Sequence, residues 1–252
     1  MKGKSAKALL AGAAVACGLA AMNNKLERAG RGLVSRLGGE VRYYGWRGGD
    51  VAYNVAGDGP PLLMAHGIYA GASSFEFRKN FDALSERFRV YALDLLGCGL
   101  SEKPDREYQP EDIAAQIEDF AREEVGRRTH LVASSLTAAL AMPAMVKNPR
   151  LFNKVVLVCP TGYRSLDCPS GRLGDAVHGL FEAPVLGDSL YHALASRASI
   201  RHYLEKTAYH DPAFVTDELV EEYHRASHGA GAKHLPAAFA SGKLNFSVAG
   251  HW

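Results

Sequence analysis

Cysteine is scarce in this sequence. Four residues in 252, Cys17, Cys98, Cys159 and Cys168, include no C-x-x-C pair. That spacing excludes a zinc ribbon or dithiol redox motif and offers no disulfide framework. Cys98 and Cys159 stand in apolar contexts and read as buried, inert thiols. An excess of charge of one sign is also missing, with 29 Lys and Arg against 27 Asp and Glu and a net charge of +2. The basic residues are scattered without interleaved aromatics, so no nucleic-acid partner is indicated. Internal repeats and low-complexity stretches are absent as well. What remains is ordinary globular composition, 47% apolar and 22% charged, of a length that suits one α/β domain.

No apolar run reaches the roughly 20 residues that a membrane span needs. The longest candidate is the uncharged, small-residue stretch from Ala8 to Met22, preceded by Lys2, Lys4 and Lys7. It suits a signal-peptide core, yet Lys25, Arg28 and Arg31 follow it, and positive charge there disfavours export. Ala14-Val-Ala-Cys17 loosely resembles a lipoprotein box without its leucine. Export or membrane association through residues 8–22, and a plain N-terminal helix in a cytoplasmic protein, stay equally open.

The fold reads from about Leu37. Val41–Trp46 and Val51–Val55, joined through Arg-Gly-Gly-Asp, form a hairpin pattern. Leu62–Ala65 is an unbroken apolar run, as in a strand buried on both faces. Phe75–Phe88 has helical spacing at Phe77, Phe81 and Leu84, and Val90–Leu93 is the next strand. Pro110, Glu111 and Asp112 open a helix that Gly126 ends. Then come strand His130–Ala133, helix Leu136–Lys147 with Pro143 inside, and strand Val155–Cys159. The alternation implies right-handed crossovers and a mostly parallel sheet after an opening hairpin. Gly162 to Gly242 holds helical stretches, such as Asp217–Ser227, and no convincing strand.

Reactive groups in such sheets gather at the carboxyl ends of the strands. Three ends are distinctive: His66-Gly67-Ile68, Asp94-Leu-Leu-Gly-Cys-Gly-Leu-Ser101, and Ser134-Ser135. Together, in this order, they resemble the α/β-hydrolase family. The resemblance spans roughly Glu40 to Gly162, and the helical stretch after it resembles that family's lid. It implies a doubly wound, mostly parallel α/β-hydrolase sheet without the last two strands. It divides the chain into an N-terminal apolar segment and linker (1–36), a core (37–163), a helical lid (164–241) and the start of a truncated C-terminal core (242–252).

Aligned on the family's Gly-x-Ser-x-Gly elbow, the sequence reads Ala133-Ser134-Ser135-Leu136-Thr137. Ser135 takes the nucleophile position, and Ser134 a local capping role. By the same resemblance, the oxyanion hole is formed by the N–H groups of Ile68 and Leu136. Gly67 leaves the substrate room, His66 is a structural hydrogen-bonding residue under that loop, and Asp94 forms a turn. A serine rather than an aspartate at the elbow points to ester, thioester, lactone or C–C hydrolysis, with no metal or organic cofactor. The lid residues Phe181, Leu186, Leu190 and Tyr191 read equally as core or as the lining for a small-molecule substrate with an apolar moiety.

A serine needs a base. The family's histidine follows its eighth strand and its acid usually the seventh, and neither strand is reached. The expectation is therefore a fragment of a serine hydrolase lacking its histidine and acid. The alternative is an inactive binding or membrane-associated protein on the same fold. Of the ten histidines, His210 beside Asp211 and the pair His224/His228 merit a test. The pair also has the i, i+4 spacing of metal ligands, though no third ligand is near in sequence.

Overall fold

The computed structural model describes residues 2–162, 165–168 and 170–250. The opening hairpin forms as the sequence predicts. Strands β1 (Glu40–Trp46) and β2 (Gly49–Ala56) are antiparallel, with Trp46 opposite Gly49 across Arg47-Gly48. Gly48 has φ +90°, a backbone region that only glycine enters without penalty. Next come β3 (Pro61–Ala65), β4 (Arg89–Leu93), β5 (Thr129–Ser134) and β6 (Phe152–Val158). The sheet order is β1-β2-β4-β3-β5-β6, with β4, β3, β5 and β6 mutually parallel.

Alternation along β3 shows why the sheet is covered on both sides. Leu63 and Ala65 face the larger core with Ile113, Ile117, Leu140 and Ala144. Leu62 and Met64 face the opposite cluster with Phe77 and Phe81. The first cover is built from α3 (Pro110–Asp119) and α4 (Ser135–Lys147). Gln109 and Asp112 close a reciprocal capping box at the start of α3. Beyond Asp119 the helix widens into a π-helical turn, Phe120–Val125, and Gly126 ends it at φ +67°.

The predicted helix over 75–88 is broken. It forms a 3₁₀ turn at Ser74–Phe77 and a short helix α2 (Phe81–Ser85). The Asp94 carboxylate takes the Ser74 N–H at 2.6 Å, and tight i+3 backbone bonds follow at Arg78 and Asn80. Phe77 and Phe81 still reach one core, so periodicity survives the interruption.

At the N-terminus, α1 (Lys2–Glu27) is a single helix whose residues 12–18 are exposed. Its far end is tied down by Asn23, which donates to the Val185 carbonyl at 2.9 Å and accepts from Ser189. No helix among the described residues is long and apolar enough to cross a membrane.

After β6 come α5 (Arg172–Glu182), α6 (Leu186–Leu194), α7 (Arg197–Tyr203), α8 (Asp217–Ala226) and α9 (His234–Ala240). These helices sit on the loops that leave β3 and β4. A Cβ on Gly71 would strike the Tyr223 backbone, one on Gly97 the Leu235 side chain, and one on Gly231 the Lys103 carbonyl. The helical segment therefore covers the carboxyl end of the sheet.

One cysteine expectation fails. Cys98 is buried, and burial pushes its thiol up to about 12, as suits an inert residue. Cys159 is instead exposed, with φ +46°, because it lies one residue beyond β6 where the chain turns away from the core.

Candidate active site

Strand β5 ends at Ser134 and α4 begins at Ser135 with no intervening loop. So abrupt a change of direction puts Ser135 at φ +53°. A left-handed backbone at a non-glycine residue costs on the order of 1–3 kcal/mol and persists only where its surroundings enforce it. Here the enforcement is visible. Leu136, Ala138, Ala139 and Leu140 are buried and lock α4 onto the sheet, while Ala133 holds the strand end. Ser135 itself keeps partial exposure, and its hydroxyl makes no hydrogen bond among the described residues.

Ser134 stands at the N-cap position, but its side chain caps nothing, which corrects the expected capping role. Thr137, where the family's elbow has glycine, is buried with its Oγ1 unpartnered. An unsatisfied buried hydroxyl costs roughly 1–3 kcal/mol.

The loop after β3 lies against Ser135. A Cβ added to Gly67 would stand 3.1 Å from Ser135 Cβ. The next amide, Ile68 N–H, has no hydrogen-bond partner among the described residues. The Leu136 N–H lies in the first turn of α4, where intrahelical acceptors are lacking. His66 is fully buried. Its Nε2 accepts from the Leu95 N–H at 3.0 Å, so the ring proton sits on Nδ1 and points to the Gly67 carbonyl at 2.6 Å. Both nitrogens are thereby committed to holding two loops together, the structural place expected for it. Asp94 is likewise a turn former, accepting from Ser74 N and, at 2.8 Å, from Leu100 N.

Sequence reasoning missed Glu76. Its Oε2 accepts from the Gly67 N–H at 3.0 Å and from the Tyr69 hydroxyl at 3.1 Å, clamping the loop that carries Ile68. Nothing in the sequence marks it, since the loop from Ile68 to Ser73 decides where it returns. Tyr69 stacks on Tyr223 with centroids 5.8 Å apart. Desolvation, with Tyr223 and Glu76 nearby, pushes its hydroxyl well above the ordinary tyrosine range, so it stays a neutral donor.

Beyond Tyr69 opens an apolar cavity of about 350 Å³, whose lining includes Phe181, Tyr191, Ile200, Tyr203 and Phe239. Pockets of a few hundred Å³, mostly apolar with a few polar groups, are typical of small-molecule sites. Of the four apolar residues singled out after β6, Phe181 and Tyr191 line this cavity. Leu190 packs beside it, and Leu186 is exposed.

The histidines fall elsewhere. His210 is exposed, and Asp211 caps the 3₁₀ turn Pro212–Phe214. His224 and His228 do not converge on a common point. Their ring centroids lie 4.1 Å apart at a 30° tilt, His192 stacks on His228 at 4.9 Å, and His228 Nδ1 is bound to the His224 carbonyl at 2.6 Å. His251 lies outside the described residues.

Comparison with known proteins bears on the family and the fold. Residues 62–247 match the sequence model of the alpha/beta hydrolase family. The 2-(acetamidomethylene)succinate hydrolase of Mesorhizobium japonicum is 35% identical over 139 residues, which cover 53% of this chain and 49% of that protein. The 2-hydroxy-6-oxo-6-(2'-aminophenyl)hexa-2,4-dienoic acid hydrolase of Metapseudomonas resinovorans is 31% identical over 123 residues, 48% of this chain and 42% of that one. The chain spans about a third to a half of the length of the curated relatives it matches. Among solved structures, the 2-hydroxy-6-oxo-6-phenylhexa-2,4-dienoate hydrolase from Rhodococcus sp. strain RHA1 aligns with a TM-score of 0.63 at 21% identity. That alignment covers 82% of this chain and 73% of the other, a likeness of fold.

Proposed function

The chain belongs to the alpha/beta hydrolase family, and from that premise we propose that it serves as a serine hydrolase on an ester or related carbonyl compound, with Ser135 as nucleophile. The observation that carries the reading is the left-handed corner at Ser135, against which the Gly67 loop packs so closely that a Cβ at Gly67 would stand 3.1 Å from Ser135 Cβ. In this scheme the Ser135 oxygen attacks the carbonyl carbon, and the Ile68 and Leu136 N–H groups receive the developing oxyanion. Each such donor contributes on the order of 3 kcal/mol to transition-state stabilisation. Collapse of the tetrahedral intermediate expels the leaving group, and water then releases the acyl enzyme. The helices after β6 act as the lid, and the cavity beside Tyr69 holds the apolar part of the substrate. The histidine and acid that activate the serine are supplied from outside the described residues. One relative is named a hydrolase of a 2-hydroxy-6-oxo-dienoic acid, which supports including carbonyl substrates other than simple esters in the same proposal.

A second reading, a binding protein on the same fold, draws on one observation: no base is hydrogen-bonded to Ser135 among the described residues. The two readings separate in one assay. Hydrolysis of p-nitrophenyl esters of graded chain length by the full-length gene product is expected to fall at least ~10³-fold in Ser135→Ala. If the unaltered protein hydrolyses nothing yet binds apolar carboxylic esters, the binding reading stands. Activity untouched by Ser135→Ala would remove the serine from the mechanism.

A further inference from the structure

Away from Ser135, three metal-type donors meet where the helical segment joins the core, with His178 nearby. Asp105 lies on the loop between β4 and α3, His178 and Glu182 lie one turn apart at the end of α5, and His234 opens α9. His234 Nδ1 stands 3.4 Å from Asp105 Oδ1 and 3.4 Å from Glu182 Oε1. One donor atom from each of these three residues lies within 4.8 Å of the other two. His178 Nδ1 is 4.0 Å from the same Glu182 oxygen, and it is buried without a hydrogen-bond partner. From this arrangement we infer a divalent transition-metal site, of zinc type, formed by His234, Glu182 and Asp105, a three-residue ligand set of the kind that leaves one zinc position open.

The spacing decides between a metal site and a plain ion pair. A direct charge-assisted N–H to carboxylate bond closes to about 2.7–2.9 Å. Both His234 contacts stop short of that, although Asp105 is free to move, with its side chain 82% exposed. Ligands held at about 2.0–2.1 Å around a tetrahedral ion stand roughly 3.3–3.4 Å from one another. The two 3.4 Å separations match that edge. One imidazole and two carboxylates form a borderline nitrogen and oxygen set that suits zinc.

Neighbouring cations do not oppose it. Lys243 is engaged with Glu107 at 3.2 Å and Arg106 with Asp112 at 2.8 Å. Asp105 and Glu182 border a surface cleft of about 400 Å³, which gives an ion a way in. His234 is the anchor, with its side chain only 9% exposed. Because α5 and α9 are the first and last helices after β6, a bound ion would tie both ends of that segment to the loop after β4.

The test is calorimetric titration of the untagged, chelator-treated full chain with zinc sulfate, repeated on Glu182→Gln, Asp105→Asn and His228→Gln. One zinc per chain is expected, weakened at least ~10-fold in both carboxylate variants and unchanged in His228→Gln, which removes a ring of the separate histidine stack. Bound zinc is also expected to raise Tm by several degrees, an effect lost in Asp105→Asn. Asp105 is exposed, so that variant keeps its fold and its result is decisive. No stoichiometric zinc binding, or a loss smaller than tenfold in either carboxylate variant, would overturn the site.

Discussion

A methyl group at position 67 would meet Ser135 Cβ at 3.1 Å, closer than most real side-chain contacts allow. The loop and the elbow would have to part by a few tenths of an ångström. Catalysis is more sensitive to that shift than folding is. Gly67→Ala is accordingly expected to lower kcat by about 10- to 100-fold while moving Tm only a few degrees. A large fall in Tm with kcat intact would mean that the glycine serves packing alone. Other single residues show what the sequence could carry. His66, Gly67, Asp94 and Ser135 were legible because each sits at a strand end with fixed local geometry. Glu76 was not, since its two hydrogen bonds are made across a returning loop. Thr137 announces the elbow as a variant, and its orphaned hydroxyl is the physical trace of that departure. Cys159 misled because an apolar neighbourhood in sequence does not reveal on which side of a strand end the chain turns.

At the scale of elements, strands were read more faithfully than helices. Burial on both faces of β3 leaves an unbroken apolar run. The interrupted stretch from Ser74 to Ser85 keeps helical spacing because Phe77 and Phe81 share a core, so periodicity alone could not reveal the break. The helices after β6 hold a feature that the sequence shows only as scattered histidines. His192 on α6 and His224 on α8 stack with His228 just beyond it, and all three are buried. Desolvation first, then the neighbouring His228, holds His192 and His224 down to about 4. Asp188 and Glu221 pull upward, and Arg197 and Lys233 downward. In the unfolded chain these rings titrate near 6.5. Below that pH the unfolded state takes up protons that the folded state refuses. Stability is therefore complete above about pH 6.5 and declines as pH falls toward 4. Urea unfolding should show a loss of roughly 1–3 kcal/mol between pH 7 and 5. The loss should be smaller in His224→Gln, and an identical loss there would clear the stack of responsibility.

Across the whole molecule, the order β1-β2-β4-β3-β5-β6 brings three separate sequence motifs to one end of the sheet. Their succession along the chain foretold this, because parallel strands with right-handed crossovers leave few alternatives. The helical segment was legible as the absence of strands and as helical stretches such as Asp217–Ser227. How its members would close over Tyr69, and which residues would meet around His234, depends on contacts between segments that no local pattern encodes. Strand β6 stands at the edge of the sheet, where Val155, Val156 and Val158 are exposed. The account as a whole depends on one alignment, the Ser135 oxygen facing the amides of Ile68 and Leu136. The most direct measurement is a crystal structure of the full-length protein after treatment with an alkyl fluorophosphonate. The expected result is a phosphonyl group on Ser135 with its oxygen about 3 Å from both amide nitrogens. Modification of another residue, or an adduct on Ser135 whose oxygen points away from those amides, would contradict it.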